Sequence, residues 1–146
     1  ECHGGSMLLH PVVHLHLFNS CGELYLQKRP AWKDIQPGRW DTAVGGHVDW
    51  GEEPLAALRR EVREEVGVTD FEPQHVLTYL FESERERELV YVYKTVYDGP
   101  VVPSGELDGG RFWTLREIAE GVGGGIFTPN FEGEIRRVAE LPDVGR

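Results

Sequence analysis

The chain predicts an α/β fold of the α+β kind, with a mixed sheet sandwiched between helices in a single domain spanning 1–146. Three observations lead there. Several short segments alternate apolar and polar residues with the period of a strand. One central segment carries an apolar stripe at helical spacing. A second helical segment closes the chain after a glycine-rich loop.

PVVHLHLF, residues 11–18, places Val13, Leu15 and Leu17 on one face and His14 and His16 on the other, with His10 in phase before them. That is a strand. Asn19-Ser20-Cys21-Gly22 is a turn, and ELYLQKR (23–29) is its hairpin partner. A loop with two prolines and two tryptophans follows over 30–41, then a short strand over 42–48. Gly51-Glu52-Glu53-Pro54 opens a helix, because acidic groups suit the positive N-terminal end and proline lacks an N–H that would go unpaired. Leu55, Leu58, Val62 and Val66 form its stripe, and Gly67 ends it. Strands are expected over 74–82 and 88–97, and a last short one at 111–113. Thr114 and Glu117 make a capping box for a brief helix. After the GVGGG loop (121–125), Thr128-Pro129 starts a helix running to about Leu141. GVGGG lacks the Gly-Lys-Ser/Thr of a phosphate loop and reads as a plain loop.

The 146 residues suffice for one buried core, and 40% hydrophobic with 27% charged residues is ordinary globular composition. With 15 basic against 25 acidic residues the net charge is −10. Such a surface repels phosphate backbones, so direct nucleic-acid binding and anionic membranes are not expected partners. A polyanionic small molecule still fits, provided divalent cations stand between it and the acids. No apolar run approaches a membrane span and no signal peptide is visible, so the expectation is a cytoplasmic protein. Cys2 and Cys21 do not make a disulfide framework. Residues 1–6 read as a tail or an expression remnant ahead of Met7.

Glu61, Glu64 and Glu65 fall at i, i+3 and i+4 of the central helix, beside its apolar stripe. Three carboxylates bordering a core repel one another and need a compensating charge. Arg59, Arg60 and Arg63 supply part of it, and a hard divalent cation with oxygen ligands would supply the rest. The plain alternative is a surface helix laced by Glu–Arg pairs. The wider spacing decides between them: Gly46, five residues, Glu52, seven residues, then Arg60-Glu61-Val62-Arg63-Glu64-Glu65-Val66-Gly67-Val68.

That pattern resembles the complete box of the Nudix hydrolase superfamily, and the likeness extends over nearly the whole chain. It implies an α/β/α sandwich with the box as loop–helix–loop, and hydrolysis of a diphosphate bond in a nucleoside diphosphate-linked or related organic molecule. By box position, Glu61, Glu64 and Glu65 would bind Mg²⁺ or Mn²⁺, Glu52 would support them, and Arg60 would orient a glutamate. The general base would be Glu64, Glu65 or a loop acid such as Glu106; Asp108 lies in the same loop.

Outside the box, residues 9–52 resemble the isopentenyl-diphosphate isomerase branch of this fold. That likeness implies a second metal (Zn²⁺, Mn²⁺ or Fe²⁺) on His3, His10, His47, Glu86 and Glu88, with Arg29 and Lys33 on the substrate diphosphate. His14 and His16 belong to no motif. The isomerases carry a cysteine immediately before the Gly-His, where this chain has Gly45, while every box glutamate is present. The pattern is therefore that of an isomerase-like Nudix hydrolase. An isomerase and an inactive diphosphate-binding module are the alternatives. Trp32 and Trp50 are candidates to stack on substrate, Trp40 and Trp113 read as core, and the superfamily admits a homodimer.

Overall fold

The computed structural model describes residues 8–29, 38–84, 87–103 and 109–144. Its strands are β1 (His10–Phe18), β2 (Leu24–Lys28), β3 (Trp40–Thr42), β4 (Val44–His47), β5 (Gln74–Glu82), β6 (Arg87–Val96) and β7 (Gly110–Trp113). Its helices are α1 (Pro54–Val66), α2 (Leu115–Gly121) and α3 (Pro129–Val138). The seven strands form one sheet in the order β3-β2-β1-β6-β5, with β4 also on β1 and β7 also on β2. The pairing of β1 with β6 is parallel, which makes the sheet mixed. β1 is long enough to hold two partners along one edge: β4 beside Val12–Leu15, and β2 beside Leu17 and Phe18. The segment expected as one strand over 42–48 is thus two short strands, because its two ends pair with different neighbours.

Strand alternation sends side chains into two cores. Val13, Leu15 and Leu17 of β1 meet Ala57, Leu58, Val62 and Val66 of α1. Val12 of β1, with Leu24, Leu26, Val90 and Val92, meets Ile118 of α2 and Phe131, Ile135 and Val138 of α3. Period-3.6 and period-2 patterns on facing surfaces dictate this layering. The stripe expected on α1 holds except at its start, where Leu55 stays exposed and Ala57 takes its place in the core. Gly67 ends α1 at φ 71°, a left-handed conformation open to glycine, and its N–H donates to the Arg63 carbonyl. The capping box of α2 forms as expected, and the Thr128 hydroxyl caps α3 by accepting from the Phe131 N–H. Trp113 is buried, and Trp40 packs against it edge to face at 5.2 Å between centroids.

Candidate active site

The box residues converge where α1 crosses β4. Gly46 allows this approach: a methyl group there would overlap Cγ and Cδ of Glu61. The Glu61 carboxylate therefore lies flat against the strand. Arg60 is the organiser. Its Nε and Nη2 donate to the two oxygens of Glu52 at 2.9 and 3.0 Å, and its Nη1 donates to Glu61 at 2.8 Å. Nη2 also donates to the His47 carbonyl at 2.9 Å, tying the helix to the end of β4. Asp49 and Glu64 each approach the same guanidinium at 3.6 Å. A planar fork with five donors suits this task in a way lysine does not. The hydrogen bonds from Arg60 and the Asp49 N–H hold the Glu52 carboxyl down to about 2. The Glu52 contacts raise the Arg60 pKa further. Arg59, expected to help neutralise the acids, instead lies over the Phe71 ring and donates to the Phe71 carbonyl.

Glu65 is the most perturbed member. Burial raises its pKa to about 9, reinforced by a hydrogen bond to Glu61 and by that carboxylate's charge; the Gly45 N–H and Gln27 pull the other way. Gln27 of β2 reaches it through its side-chain amide, whose Nε2 donates to the carboxylate at 3.4 Å and to the Ala43 carbonyl at 3.3 Å. Two touching carboxyls must share either a proton or a cation. An all-oxygen donor set of Glu61, Glu65 and the more exposed Glu64, braced by Glu52 through Arg60, fits a hard divalent ion. Among the described residues, no group of three or more His, Cys, Asp or Glu is already in metal-holding geometry.

On the opposite face of the sheet, the His10 and His47 rings stand 6.3 Å apart, and Glu88 lies in register with His10. Glu86 and His3 fall outside the described residues, as do Lys33, Trp32, Glu106 and Asp108. Arg29 lies 3.6 Å from Asp41, at the end of β2. Trp50 is fully exposed on the loop that precedes α1.

The same face holds a cluster that no motif announced. Glu134 of α3 is 1% exposed and accepts from His14 Nδ1 (2.7 Å), His16 Nε2 (2.8 Å) and Tyr79 Oη (2.6 Å). Burial opposes a charge on His14, yet the Glu134 carboxylate overrides it and raises the imidazole to about 9. Burial likewise opposes ionisation of Glu134, and the His14 charge still draws it well below the usual carboxylate range. Burial and the adjacent carboxylate push the Tyr79 phenol up. His14 also touches Gly45: a methyl group there would sit 3.4 Å from its Cδ2. The adjacent glycines of β4 therefore face different layers, Gly46 toward Glu61 and Gly45 toward His14.

A mixed sheet between helices, with an Arg-organised glutamate cluster where α1 meets a glycine of β4, defines a domain built around a loop–helix–loop. The NUDIX domain family matches residues 8–131, and the chain belongs to that family. It is 36% identical over 97 residues to the uncharacterized Nudix hydrolase PA4841 of Pseudomonas aeruginosa, covering 66% of this chain and 57% of that protein. It is 31% identical over 118 residues to the isopentenyl-diphosphate Delta-isomerase of Serratia proteamaculans, covering 77% and 64%. The chain thus spans about three fifths of the length of these curated relatives. DR0079 of Deinococcus radiodurans superposes with a TM-score of 0.75 at 26% identity, covering 88% of this chain and 82% of that one. A MutT protein from Methanosarcina mazei Go1 shares the fold at a TM-score of 0.75 and 24% identity.

Proposed function

We propose that the chain is a metal-dependent hydrolase that cleaves a diphosphate bond in a small organic diphosphate. The observation that carries this reading is the half-buried Glu61–Glu65 pair, in which Glu61 packs against Gly46 and is oriented by Arg60. Mg²⁺ or Mn²⁺ held there would place positive charge on the diphosphate oxygens and on the attacking water. Glu61 and Glu65 would hold the ion, since a shared cation would replace the proton they otherwise share. Glu64, the most exposed of the three, would complete the set and take the proton from the water. Glu52 acts through Arg60, holding the guanidinium that aims Glu61. Arg29 and Lys33 are proposed contacts for the substrate diphosphate.

The isomerase reading draws on the His10, His47 and Glu88 face and on the isomerase relative. A second transition-metal centre there would need Glu86 or His3 as well. Gly45 disfavours isomerisation, since it offers no side chain to carry a proton beside that face. Incubation with Mg²⁺ or Mn²⁺ and a panel of nucleoside diphosphate derivatives, nucleotide cofactors and isopentenyl diphosphate tests both, with products followed by phosphorus NMR. Hydrolysis of one class is expected, falling at least about 10²-fold in Glu64→Gln and in Glu65→Gln. Undiminished turnover in both variants would refute the assignment, and an allylic isomer without hydrolysis would favour the isomerase.

A further inference from the structure

β2 alternates between the two cores: Leu24 and Leu26 face α2 and α3, while Tyr25 faces α1. Gln27 follows Tyr25 onto the α1 side, where β1 carries Val13, Leu15 and Leu17. It is 9% exposed. A primary amide buried beside an apolar core costs stability unless its hydrogen bonds are made. Pairing of β2 with β3 sets Gln27 opposite Asp41 and brings the Ala43 carbonyl within reach, 3.3 Å from Nε2. The second acceptor of the same nitrogen is Glu65 Oε1 at 3.4 Å. A carbonyl can only accept, so Ala43 decides which way the amide is turned. Rotated by half a turn, the amide would set its own oxygen against both the carbonyl and the carboxylate. The NH₂ end therefore faces Glu65.

We propose that Gln27 is a positioning residue for the divalent cation of the box, anchoring the Glu65 carboxylate from the sheet so that it stays against Glu61. The proposal rests on the reading of Glu61 and Glu65 as the groups that hold the ion. Each of the two acids then has its own brace. Glu61 is seated on Gly46 and bonded to Arg60, and Glu65 is held by Gln27 of β2 and the Gly45 N–H of β4. Gln27 is buried, so it acts through Glu65 and not on a substrate. A carboxylate fixed in advance gives up little freedom when the ion arrives, and affinity rises by the entropy saved. A neutral donor suits this place, because a lysine or arginine would itself neutralise Glu65 and oppose the cation. Outer partners of metal ligands are worth about 10–100-fold in affinity. The long bond from Gln27 puts it at the lower end of that range.

The test is Mn²⁺ binding to the full, metal-free chain, read by calorimetry and by the paramagnetic resonance of the free ion. Gln27→Met keeps the length of the side chain and removes both N–H donors. It should weaken Mn²⁺ about tenfold while the metal-free Tm moves by no more than a few degrees. Gln27→Asn keeps an amide but draws it back from Glu65, and should give the same loss. Glu65→Gln should also weaken Mn²⁺. In that background Gln27→Met should cost less than about twofold more, because the carboxylate it acts through is already gone. In a Glu64→Gln background it should still cost about tenfold. Undiminished Mn²⁺ affinity in both Gln27 variants, or a tenfold loss that is the same with Glu65 present and replaced, would overturn the proposal and leave the metal site standing. Full affinity in Glu65→Gln would instead remove the metal-site reading itself, and the role of Gln27 with it.

Discussion

Replacing Glu134 by glutamine keeps the shape of the buried side chain but removes the charge that three donors share. The consequence depends on pH, and its sign follows from His14. That imidazole rises from an ordinary 6.5 to about 9 in the folded chain. A group whose folded pKa is raised contributes stability that is fully present below the unfolded value and is lost as pH climbs through the folded one. At about 1.4 kcal/mol for each tenfold change in proton affinity, the contribution is about 3 kcal/mol below pH 6.5 and nearly gone by pH 9.5. The His14 ring is 13% exposed, so solvent screens this interaction little. Without the Glu134 carboxylate, burial alone acts on His14 and the raised affinity disappears. Urea unfolding of wild type and Glu134→Gln at pH 6 and pH 9.5 measures this directly. The stability gap between the two proteins should be about 3 kcal/mol wider at pH 6. In thermal unfolding that corresponds to roughly 6–12 °C for a chain of this size. Ionisations common to both proteins, Glu65 among them, cancel in the comparison. A gap that stays constant within about 1 kcal/mol between the two pH values would refute a charged His14–Glu134 pair.

Two further outcomes bear on the box. Gly46→Ala should leave the chain folded, by circular dichroism, while pushing Glu61 off the strand; kcat/KM for a confirmed substrate should fall about 10²-fold, and an unaltered value would mean that Glu61 does not need its place against β4. Arg60→Ala frees Glu52 and Glu61 at once, so Mn²⁺ affinity measured by calorimetry should drop about 10–100-fold, whereas equal affinity would make Arg60 a purely structural tie.

The layers of the fold and the acidic half of the site could be read from local pattern. Val13, Leu15 and Leu17 alternate because β1 has a core on that side, and Leu58, Val62 and Val66 repeat at helical spacing because α1 covers it. The box glutamates lie within one turn of one helix, so their neighbourhood is written in their spacing. Gln27 was invisible in this way. It sits in an ordinary hairpin strand, and only the pairing of β2 with β3, next to Ala43, together with the packing of α1 on the sheet, brings its amide to Glu65. The roles of Arg59 and Arg60 diverge for a similar reason, since Phe71 and Glu52 lie on different sides of α1.

The far face of the sheet shows the limit most clearly. His14 and His16 alternate with leucines, which by itself fits a solvated edge as well as a buried one. Their environment is decided 118 and 120 residues later, where α3 folds back and brings Glu134 between them. Sequence by itself determined what depends on neighbours along one helix: the family, the glutamate cluster and the arginine that bonds to it. Tertiary structure alone decided which glycine faces which layer, what Glu65 leans on, and that a buried carboxylate binds two histidines and a tyrosine. The physical reason is that strand and helix periods fix which way a side chain points, whereas what it meets there is set by parts of the chain that local periodicity does not reach.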